Sequence, residues 1–267
     1  MMMTTKAVLP YEAASPWKRG EGASLRAPAS SGPFVRPLHM LLADRLGADI
    51  MSGVYKPGST LPTEMVSSSS LAISRSAYRE TIRTLAAKGL VQSRTKRGTC
   101  VNDPSKWNVL DPDVLRWMFD RDPNPQFTRD LFELRLITEP AAAEFAALRA
   151  SAAEIADMKR ALDVMKDKTL MTEEGRAADL EFHRILLAAA RNTALASLSS
   201  SIGAAISWST SYKARHNALD RDSMPDHERI YDAIAARNPS EARWAMESLI
   251  RLAQGDLQRI DSKTVAT

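Results

Sequence analysis

The residues from Pro57 to Val101, PGSTLPTEMVSSSSLAISRSAYRETIRTLAAKGLVQSRTKRGTCV, constrain the architecture more than any other part of the chain. Ser74 is a favourable N-cap for a helix, and Gly89 is the residue type that most readily ends one. Between them, apolar residues recur at steps of three and four, which is the spacing of one buried helix face. The sequence therefore predicts a helix over residues 75–88 with a buried stripe of Ala77, Tyr78, Ile82, Leu85 and Ala86.

The same helix carries a basic stripe on another face. Arg75, Arg79 and Arg83 follow one another at steps of four, and Ser76 lies near them. Side chains four residues apart lie on the same side of a helix. Arginines near the start of a helix that enters the major groove contact guanine edges or phosphates. These four residues are therefore predicted DNA contacts.

Two short strands are predicted after this helix, over residues 90–93 and 99–101, and the basic turn 94–98 joins them. A helix, a short turn, a second helix and a hairpin are together typical of a winged helix-turn-helix. A basic hairpin tip suits the minor groove or the DNA backbone. The predicted contacts of this tip are Thr95, Lys96, Arg97 and Gly98.

This segment resembles the DNA-binding domain of the GntR superfamily of bacterial transcription regulators. One departure from the family pattern lies in the first helix of the pair, residues 65–72, where four serines stand together. Serine is a weaker helix former than alanine, glutamate or leucine, so we expect this helix to depend on packing. The resemblance rests on Ile50, Gly53, Tyr55–Gly58, Leu61–Glu64, Ser74, Arg75, Arg79, Glu80, Leu85, Gly89–Val91 and Arg97–Thr99.

The length of 267 residues and a hydrophobic content of 44% fit two domains with cores of their own. No run of about 18 apolar residues is present, which predicts that no segment spans a membrane. The first residues lack the apolar region of a secretory signal, so a cytoplasmic protein is expected. The single cysteine, Cys100, excludes a disulfide within the chain and is predicted to be a small apolar side chain in a strand.

The net charge of +4 is distributed unevenly along the chain. Residues 39–101 hold nine basic and four acidic side chains, whereas residues 102–267 hold 22 basic and 26 acidic ones. The positive charge therefore lies with the predicted winged helix, as a nucleic-acid-binding module requires. By itself this would be weak support for DNA binding, because solvated basic faces are common.

The pattern divides the chain into four segments. Residues 1–36 are rich in Pro, Gly, Ser and Ala and are predicted to be a disordered tail. Residues 37–102 form the winged helix-turn-helix, and residues 103–125 form a linker with a short helix. Residues 126–262 follow a helical pattern, so the predicted fold class is mainly α: a winged helix with a small β-hairpin, then an all-α bundle. The bundle helices are expected over residues 127–149, 151–168, 172–190, 193–217, 225–236 and 239–262.

Two parts of the second half carry further resemblances. The linker segment Lys106–Trp117 resembles the galactonate-operon repressor branch of the GntR superfamily. The helical region resembles the ligand-binding FCD domain of the FadR subgroup, which implies a small-molecule effector. This second resemblance rests on Leu134, Arg135, Glu139–Ala142, Asp179, Phe182, His183, Arg191, Asn192, His227, Ile230, Ala233 and Ile234.

Asp179 and His183 are four residues apart and therefore leave the same face of one helix. An imidazole and a carboxylate suit Zn, Ni, Mn or Fe, and His227 on a later helix would supply a third ligand. By spacing alone, a surface pair or a hydrogen-bonded Asp–His couple is the alternative. The resemblance implies a divalent metal held by one aspartate and three histidines, with Leu249 at the position of the fourth ligand. The predicted metal ligands are Asp179, His183 and His227.

Arg135 lies within an apolar stretch, where an unpaired guanidinium would be costly to bury. One alternative is a salt bridge to Glu139 or another internal carboxylate. The other, which the resemblance implies, is a clamp on the carboxylate of an effector. Trp208, Ser209, Tyr212 and Arg259 are predicted to line the same cavity, with core packing or surface exposure as the alternative for each.

These features together predict a DNA-binding transcription regulator. We expect a homodimer on a pseudo-palindromic operator. The resemblance to the galactonate-operon repressor branch implies a repressor that leaves its operator when a sugar acid such as galactonate binds. A metal-dependent enzyme that uses the Asp/His cluster is the alternative, although neither a nucleophile motif nor an obvious base accompanies the cluster. An adaptor that binds a partner protein would leave the arginine row and the basic turn unexplained.

Overall fold

A computed structural model describes residues 36–62, 74–119, 124–216 and 221–265. The first part of the chain contains α1 (Leu38–Met51), α2 (Arg75–Ala87) and a hairpin of β1 (Val91–Arg94) and β2 (Gly98–Val101). A 3-10 turn (Pro104–Lys106) and α3 (Pro112–Phe119) lead to a helical bundle. The bundle contains α4 (Pro125–Arg149), α5 (Ala152–Lys168), α6 (Glu173–Ala189), α7 (Thr193–Ser197), α8 (Ser199–Arg215), α9 (Met224–Ala235) and α10 (Pro239–Val265).

The mainly α fold with a hairpin wing is confirmed, with one break that the sequence pattern did not predict. Instead of one helix over residues 193–217, the chain forms α7 and α8 with Leu198 between them. The hydroxyls of Ser197 and Ser199 donate to main-chain carbonyl oxygens three residues earlier. Such local bonds compete with regular helical bonding and account for the break. The predicted serine-rich helix at 65–72 and residues 1–35 of the predicted tail lie outside the described residues.

Helix α2 packs on α1 through a stripe that differs from the predicted one. Tyr78 and Leu85 are buried as expected, but Ala86 is exposed. Thr81 is fully buried, and its hydroxyl donates to the carbonyl oxygen of His39 in α1 at 2.9 Å. A polar residue is tolerated in this core because its hydroxyl is paired. The α1–α2 contact thus buries a polar residue whose burial apolar periodicity did not predict.

The hairpin packs beside α2 and is extended by the segment that precedes it. Its strands are antiparallel, with Val91 opposite Val101. Lys96 has a positive φ of 65° in the turn. The amide of Leu61 donates to the carbonyl oxygen of Thr99 at 2.8 Å, which ties the preceding chain to the hairpin edge.

Helix α3 contributes side chains to two hydrophobic cores. Val114 and Trp117 are buried with residues of α1 and α2, whereas Leu115 and Phe119 are buried in the core of the bundle. The helix therefore belongs to both units at once. This sharing places the two cores on opposite sides of a helix of only eight residues.

The contacts of α3 are specific on each side. The indole Nε1 of Trp117 donates to Oδ1 of Asp44 in α1 at 3.0 Å, and Arg116 donates to the same oxygen at 2.5 Å. The ring of Phe119 stacks on Trp208 of α8 with 4.2 Å between centroids. Close-packed contacts of this kind transmit displacement, because they do not deform continuously.

The bundle encloses a polar centre. Helix α4 packs along α10, and α6 packs against α5, α4 and α8. Five titratable side chains that are each at most 4% exposed lie within this apolar environment: Arg135, Glu139, Asp179, His183 and His227. Among the helices of the described ranges, none is long and apolar enough to cross a membrane.

The contact between Gly47 and Trp117 can be tested by substitution. A Cβ atom at Gly47 would overlap the indole ring. We expect Gly47→Ala to lower the free energy of unfolding by about 1–3 kcal/mol, because overpacking outweighs the gain of about 1 kcal/mol in helix propensity. Thermal unfolding measures the change. Gly255→Ala in α10 is the matched control, since open space surrounds its Cβ position and this variant should be as stable as the wild type or more so. Equal stability of the two variants would contradict the close contact.

Candidate functional site

The predicted DNA-contacting face of α2 lies on the surface. Arg75, Ser76, Arg79 and Arg83 are all exposed. Arg83 forms an ion pair with Glu80 at 2.5 Å. Within the described part of the chain, Arg75 and Arg79 form no ion pair, so their charges face solvent. Solvated guanidiniums in a row are available to phosphates and base edges.

The wing tip is exposed in the same way at Thr95, Lys96, Arg97 and Gly98. A depression of about 350 Å³ lies between α2 and the hairpin. The structure thus brings two of the arginines of α2 and the glycine of the tip onto one surface. The lining of this depression includes Tyr78, Arg79, Ile82, Arg83, Ser93, Gly98 and Thr99.

In the bundle, the structure brings together the three residues that the sequence predicts as metal ligands. Oδ1 of Asp179 lies 3.0 Å from Nε2 of His227 and 3.8 Å from Nε2 of His183. One ligand atom from each residue lies within 4.8 Å of the other two. All three side chains are buried. The alternative of a surface pair is therefore excluded for Asp179 and His183.

An oxygen atom lies close to Nδ1 on the far side of each imidazole, and Nε2 of each ring faces Asp179. Nδ1 of His227 lies 2.8 Å from the carbonyl oxygen of Ser223. Nδ1 of His183 lies 2.8 Å from Oε2 of Glu139, which is ion-pair distance although the two groups are not aligned as a directed hydrogen bond. Partners of this kind fix the tautomer of metal-binding histidines and present Nε2 to the ion.

Glu139 is itself held by Arg135. Nε of Arg135 donates to Oε1 of Glu139 at 2.6 Å, and the Glu139 side chain is completely buried. Burial by itself would raise the pKa of Glu139, but the Arg135 charge and the contact with His183 outweigh it and lower the pKa to about 2. The salt-bridge alternative for Arg135 is thus the arrangement that the structure contains.

Asp179 is also buried, and the same two opposing effects act on its pKa. Burial opposes its charge, but His227, His183 and Arg135 lower the pKa of Asp179 to about 2. Both carboxylates therefore stay ionised at neutral pH. An ionised carboxylate and two imidazoles that present Nε2 form a donor set that suits borderline divalent cations such as Zn or Ni. A second observation also fits a metal site. The buried Nε2 of His227 has no directed hydrogen bond in the described residues, so it is available as a ligand.

A cavity of about 30 Å³ adjoins this cluster. Leu249 lines it, and so the residue at the position of the expected fourth histidine does face the cluster. Sequence reasoning did not identify Lys213 or Arg221 as cavity residues. Lys213 was detectable in principle, because it continues the helical face of α8 that includes Ile206. The lining comprises Arg135, Leu170, Asp179, His183, Ile206, Ser209, Thr210, Lys213, Arg221, Ser223, His227, Leu249 and Ala253.

Three residues that the sequence predicts in the effector site do not line this cavity. Trp208 and Tyr212 are buried in an aromatic group, with 5.3 Å between their ring centroids and Trp208 stacked on Phe119. Arg259 is largely exposed and pairs with Asp256. The sequence pattern could not separate neighbouring faces of α8, which differ by a single residue step.

Comparisons with known proteins identify the family to which both parts of the chain are similar. Residues 41–101 match the gntR family of bacterial regulatory proteins, and residues 130–252 match the FCD domain. The galactonate operon transcriptional repressor of Escherichia coli K12 is 33% identical over 80% of this chain and 94% of that protein. The Uxu operon regulator of Haemophilus influenzae is 28% identical over 80% of this chain and 79% of that protein. The solved structure of Lar, which controls the agr system of Listeria monocytogenes, has a similar fold, with a TM-score of 0.59 and 19% identity over 85% of this chain and 99% of that one.

The ion pair of Arg135 and Glu139 should make stability sensitive to pH. Because the folded pKa values of Glu139 and Asp179 are about 2, below their ordinary values of 4.5 and 3.8, their charged forms stabilise the fold. This contribution is complete above the ordinary values and is lost as the pH falls from about 5 towards 2. Thermal unfolding across this range should show the loss.

Glu139→Gln should lower the free energy of unfolding at pH 7 by about 3–5 kcal/mol, since it leaves a buried guanidinium without its counter-charge. It should also flatten the acid dependence. Glu144→Gln on the same helix is the control, because Glu144 forms a solvent-exposed pair with Arg243 and should cost at most about 1 kcal/mol. Equal losses in the free energy of unfolding would show that the buried pair stabilises the fold no more than the exposed pair does.

Proposed function

The chain belongs to the GntR family of bacterial transcription regulators and carries an FCD domain, and from this premise we propose that it represses a sugar-acid catabolism operon. In this proposal an aldonic acid such as galactonate enters the bundle and releases the protein from its operator. The observation that carries the proposal is the buried cluster of Asp179, His183 and His227 beside Arg135, in a bundle joined by α3 to the arginine surface of α2.

The DNA-binding surface combines α2 and the wing. Arg75, Ser76, Arg79 and Arg83 would meet base edges and phosphates in the major groove. Thr95, Lys96, Arg97 and Gly98 would meet the minor groove or the backbone. We propose that a homodimer places two such surfaces on a pseudo-palindromic operator, since a two-fold protein matches a two-fold site. The exposed, solvated state of Arg75 and Arg79 supports this role.

Asp179, His183 and His227 would hold a divalent metal such as Zn, Ni or Mn. The bound ion would supply positive charge and open coordination positions for carboxylate and hydroxyl oxygens. Leu249 provides no fourth protein ligand, so the effector or water would complete the coordination. Glu139 and the Ser223 carbonyl orient the two imidazoles, and Arg135 holds Glu139 in place.

The effector is proposed to be a sugar acid because of the chemistry of the cavity and the names of two relatives. One relative is a galactonate operon repressor and another a Uxu operon regulator. Arg135 lines the cavity, so its remaining guanidinium nitrogens would meet the acid. Effector contacts of Trp208, Tyr212 and Arg259 stay a prediction, since these residues lie outside the present lining.

The cavity of about 30 Å³ leaves little free space beside the cluster, so in this proposal its walls separate when an aldonic acid enters. Helix α8 forms part of the wall through Thr210 and Lys213 and stacks on α3 through Trp208. Movement of α8 would therefore reach α3, and α3 is packed on α1. Differential affinity for one arrangement would shift the population away from the DNA-bound state.

An enzyme is less consistent with the same observations. Glu139, the carboxylate nearest to the cluster that is not a predicted ligand, is paired with Arg135 and His183. With a pKa of about 2 it would be a poor proton acceptor at neutral pH. The matched relatives are described as transcription regulators.

Arg75→Ala should weaken specific operator binding by roughly 10-fold or more, because one well-placed arginine contact contributes about 1–3 kcal/mol. Fluorescence anisotropy at several salt concentrations measures the affinity and its salt dependence. Arg160→Ala, an exposed arginine of α5, is the control and should bind as the wild type does. Unchanged affinity of Arg75→Ala would remove this residue from the DNA contacts.

His183→Ala should leave operator binding largely intact and weaken the response to galactonate. At a ligand concentration 100 times Kd, binding stabilises the wild type by about 2.7 kcal/mol, and thermal shift detects it. The rise in melting temperature should shrink in the variant and in wild type treated with a chelator. His216→Ala is the control, since His216 is exposed and lies outside the cavity. A normal response in His183→Ala would mean that the cluster does not bind the effector.

A further inference from the structure

Lys213 is a buried cation whose ion pair in the described part of the chain is a single long one, with Asp256. It lies on α8, is 6% exposed and lines the cavity beside the Asp179–His183–His227 cluster. Its Nζ is 3.9 Å from Oδ2 of Asp256, which is too far for a hydrogen bond. In the described part of the chain, the ammonium group makes no hydrogen bond.

Asp256 does not need Lys213 as a partner. Nε of Arg221 donates to Oδ2 of Asp256 at 3.3 Å, and Arg259 bonds the other oxygen. Arg221 also pairs with Asp226. The carboxylate therefore already has two guanidinium partners, and an ion pair with Asp256 is an insufficient reason to bury a lysine.

Burying an ammonium group without hydrogen bonds is unfavourable. Burial lowers the pKa of Lys213, and this effect outweighs the opposing charges of Asp256 and Asp179. A protein that retains such a residue in an otherwise well-packed bundle carries a cost in the ligand-free state. That cost would be offset when an anion enters the cavity and supplies the missing acceptor.

Arg135 and Lys213 both line the cavity but differ in their hydrogen-bond partners. Nε of Arg135 is committed to Glu139, and through Glu139 it supports His183. Lys213 has no comparable task. It lies one helical turn from Ser209 and three residues from Thr210, whose hydroxyl is 3.4 Å from Oδ2 of Asp179. A small ligand at the cluster would therefore have the ammonium of Lys213 within reach.

We propose that Lys213 binds the anionic group of the effector, so that the site selects an acid over the neutral polyol of the same carbon skeleton. This inference rests on the proposed function and deepens it. Arg135 is then in large part a positioning residue for Glu139 and His183, and Lys213 is the side chain that recognises the charge of the ligand. The ligand class is a monocarboxylate with neighbouring hydroxyl groups.

The first test needs no ligand. Lys213→Met keeps the length of the side chain and removes its charge. If Lys213 is retained for a ligand, the ligand-free variant should be at least as stable as the wild type, with a melting temperature higher by roughly 2–4 °C. Lys166→Met, at an exposed lysine that pairs with Glu228, is the control and should change little. A clear fall in the melting temperature of Lys213→Met would show a structural ion pair and overturn the proposal.

The second test measures selectivity by calorimetry with galactonate and galactitol as probes. Wild type and Lys166→Met should prefer galactonate. Lys213→Met should bind galactonate roughly 10- to 100-fold more weakly, as expected for a lost charged hydrogen bond, and the preference over galactitol should shrink by the same factor. Lys213→Arg should restore part of it.

The outcomes distinguish a failure of the role proposed for Lys213 from a failure of the proposed function. If wild type binds galactonate and Lys213→Met keeps the same preference over galactitol, Lys213 does not recognise the acid, while the proposed function stands. If wild type binds neither probe and no other aldonic acid, the proposed effector is wrong and the role of Lys213 is overturned with it. Weaker binding of both probes by an equal factor would indicate a general disturbance and would also contradict the proposal.

Discussion

The buried ion pair between Arg135 and Glu139 is the contact on which the polar centre of the bundle depends. Two opposite charges in an apolar interior require each other, because either one without its partner would be strongly destabilising. The second oxygen of Glu139 lies 2.8 Å from Nδ1 of His183 and so orients that imidazole. The direction in which His183 presents Nε2 to Asp179 follows from this pair. A charge arrangement in α4 therefore defines the geometry of a cluster whose other members lie on α6 and α9.

Helix α3 connects this centre to the DNA-binding surface. It is short, and its two faces are buried in different cores, with Trp117 against α1 and Phe119 against α8. Helix α8 meets α3 through Trp208 and meets the cavity through Thr210 and Lys213. Helix α8, which would contact a ligand, is thus the same helix that packs on α3. In the proposed mechanism, such an arrangement would couple the two units without a long chain of intermediates.

The arginines of the two units illustrate opposite physical conditions. Arg75 and Arg79 on α2 are solvated, so their charge can be exposed without a protein partner and remains available for phosphates. Arg135 in α4 is excluded from water and is therefore paired. Lys213 is also largely buried, but the carboxylate it pairs with among the described residues is at 3.9 Å and has other partners. This contrast between Arg135 and Lys213 is the basis for proposing that Lys213 binds the charged group of the effector.

Periodicity in the chain was sufficient to predict the exposed arginine row, the hairpin and the four-residue pairing of Asp179 with His183. These features depend on neighbours in sequence, because the geometry of one helix or one hairpin is local. The family resemblance added His227 and the position of Leu249. Periodicity did not predict four other features. These are the exposure of Ala86, the burial of Thr81, the stacking of Trp208 on Phe119 of α3 and the burial of Lys213 without a hydrogen bond. Each depends on which helix lies against which face, and that is set by the crossing of elements distant in sequence, where a shift of one residue exchanges a cavity position for a core position.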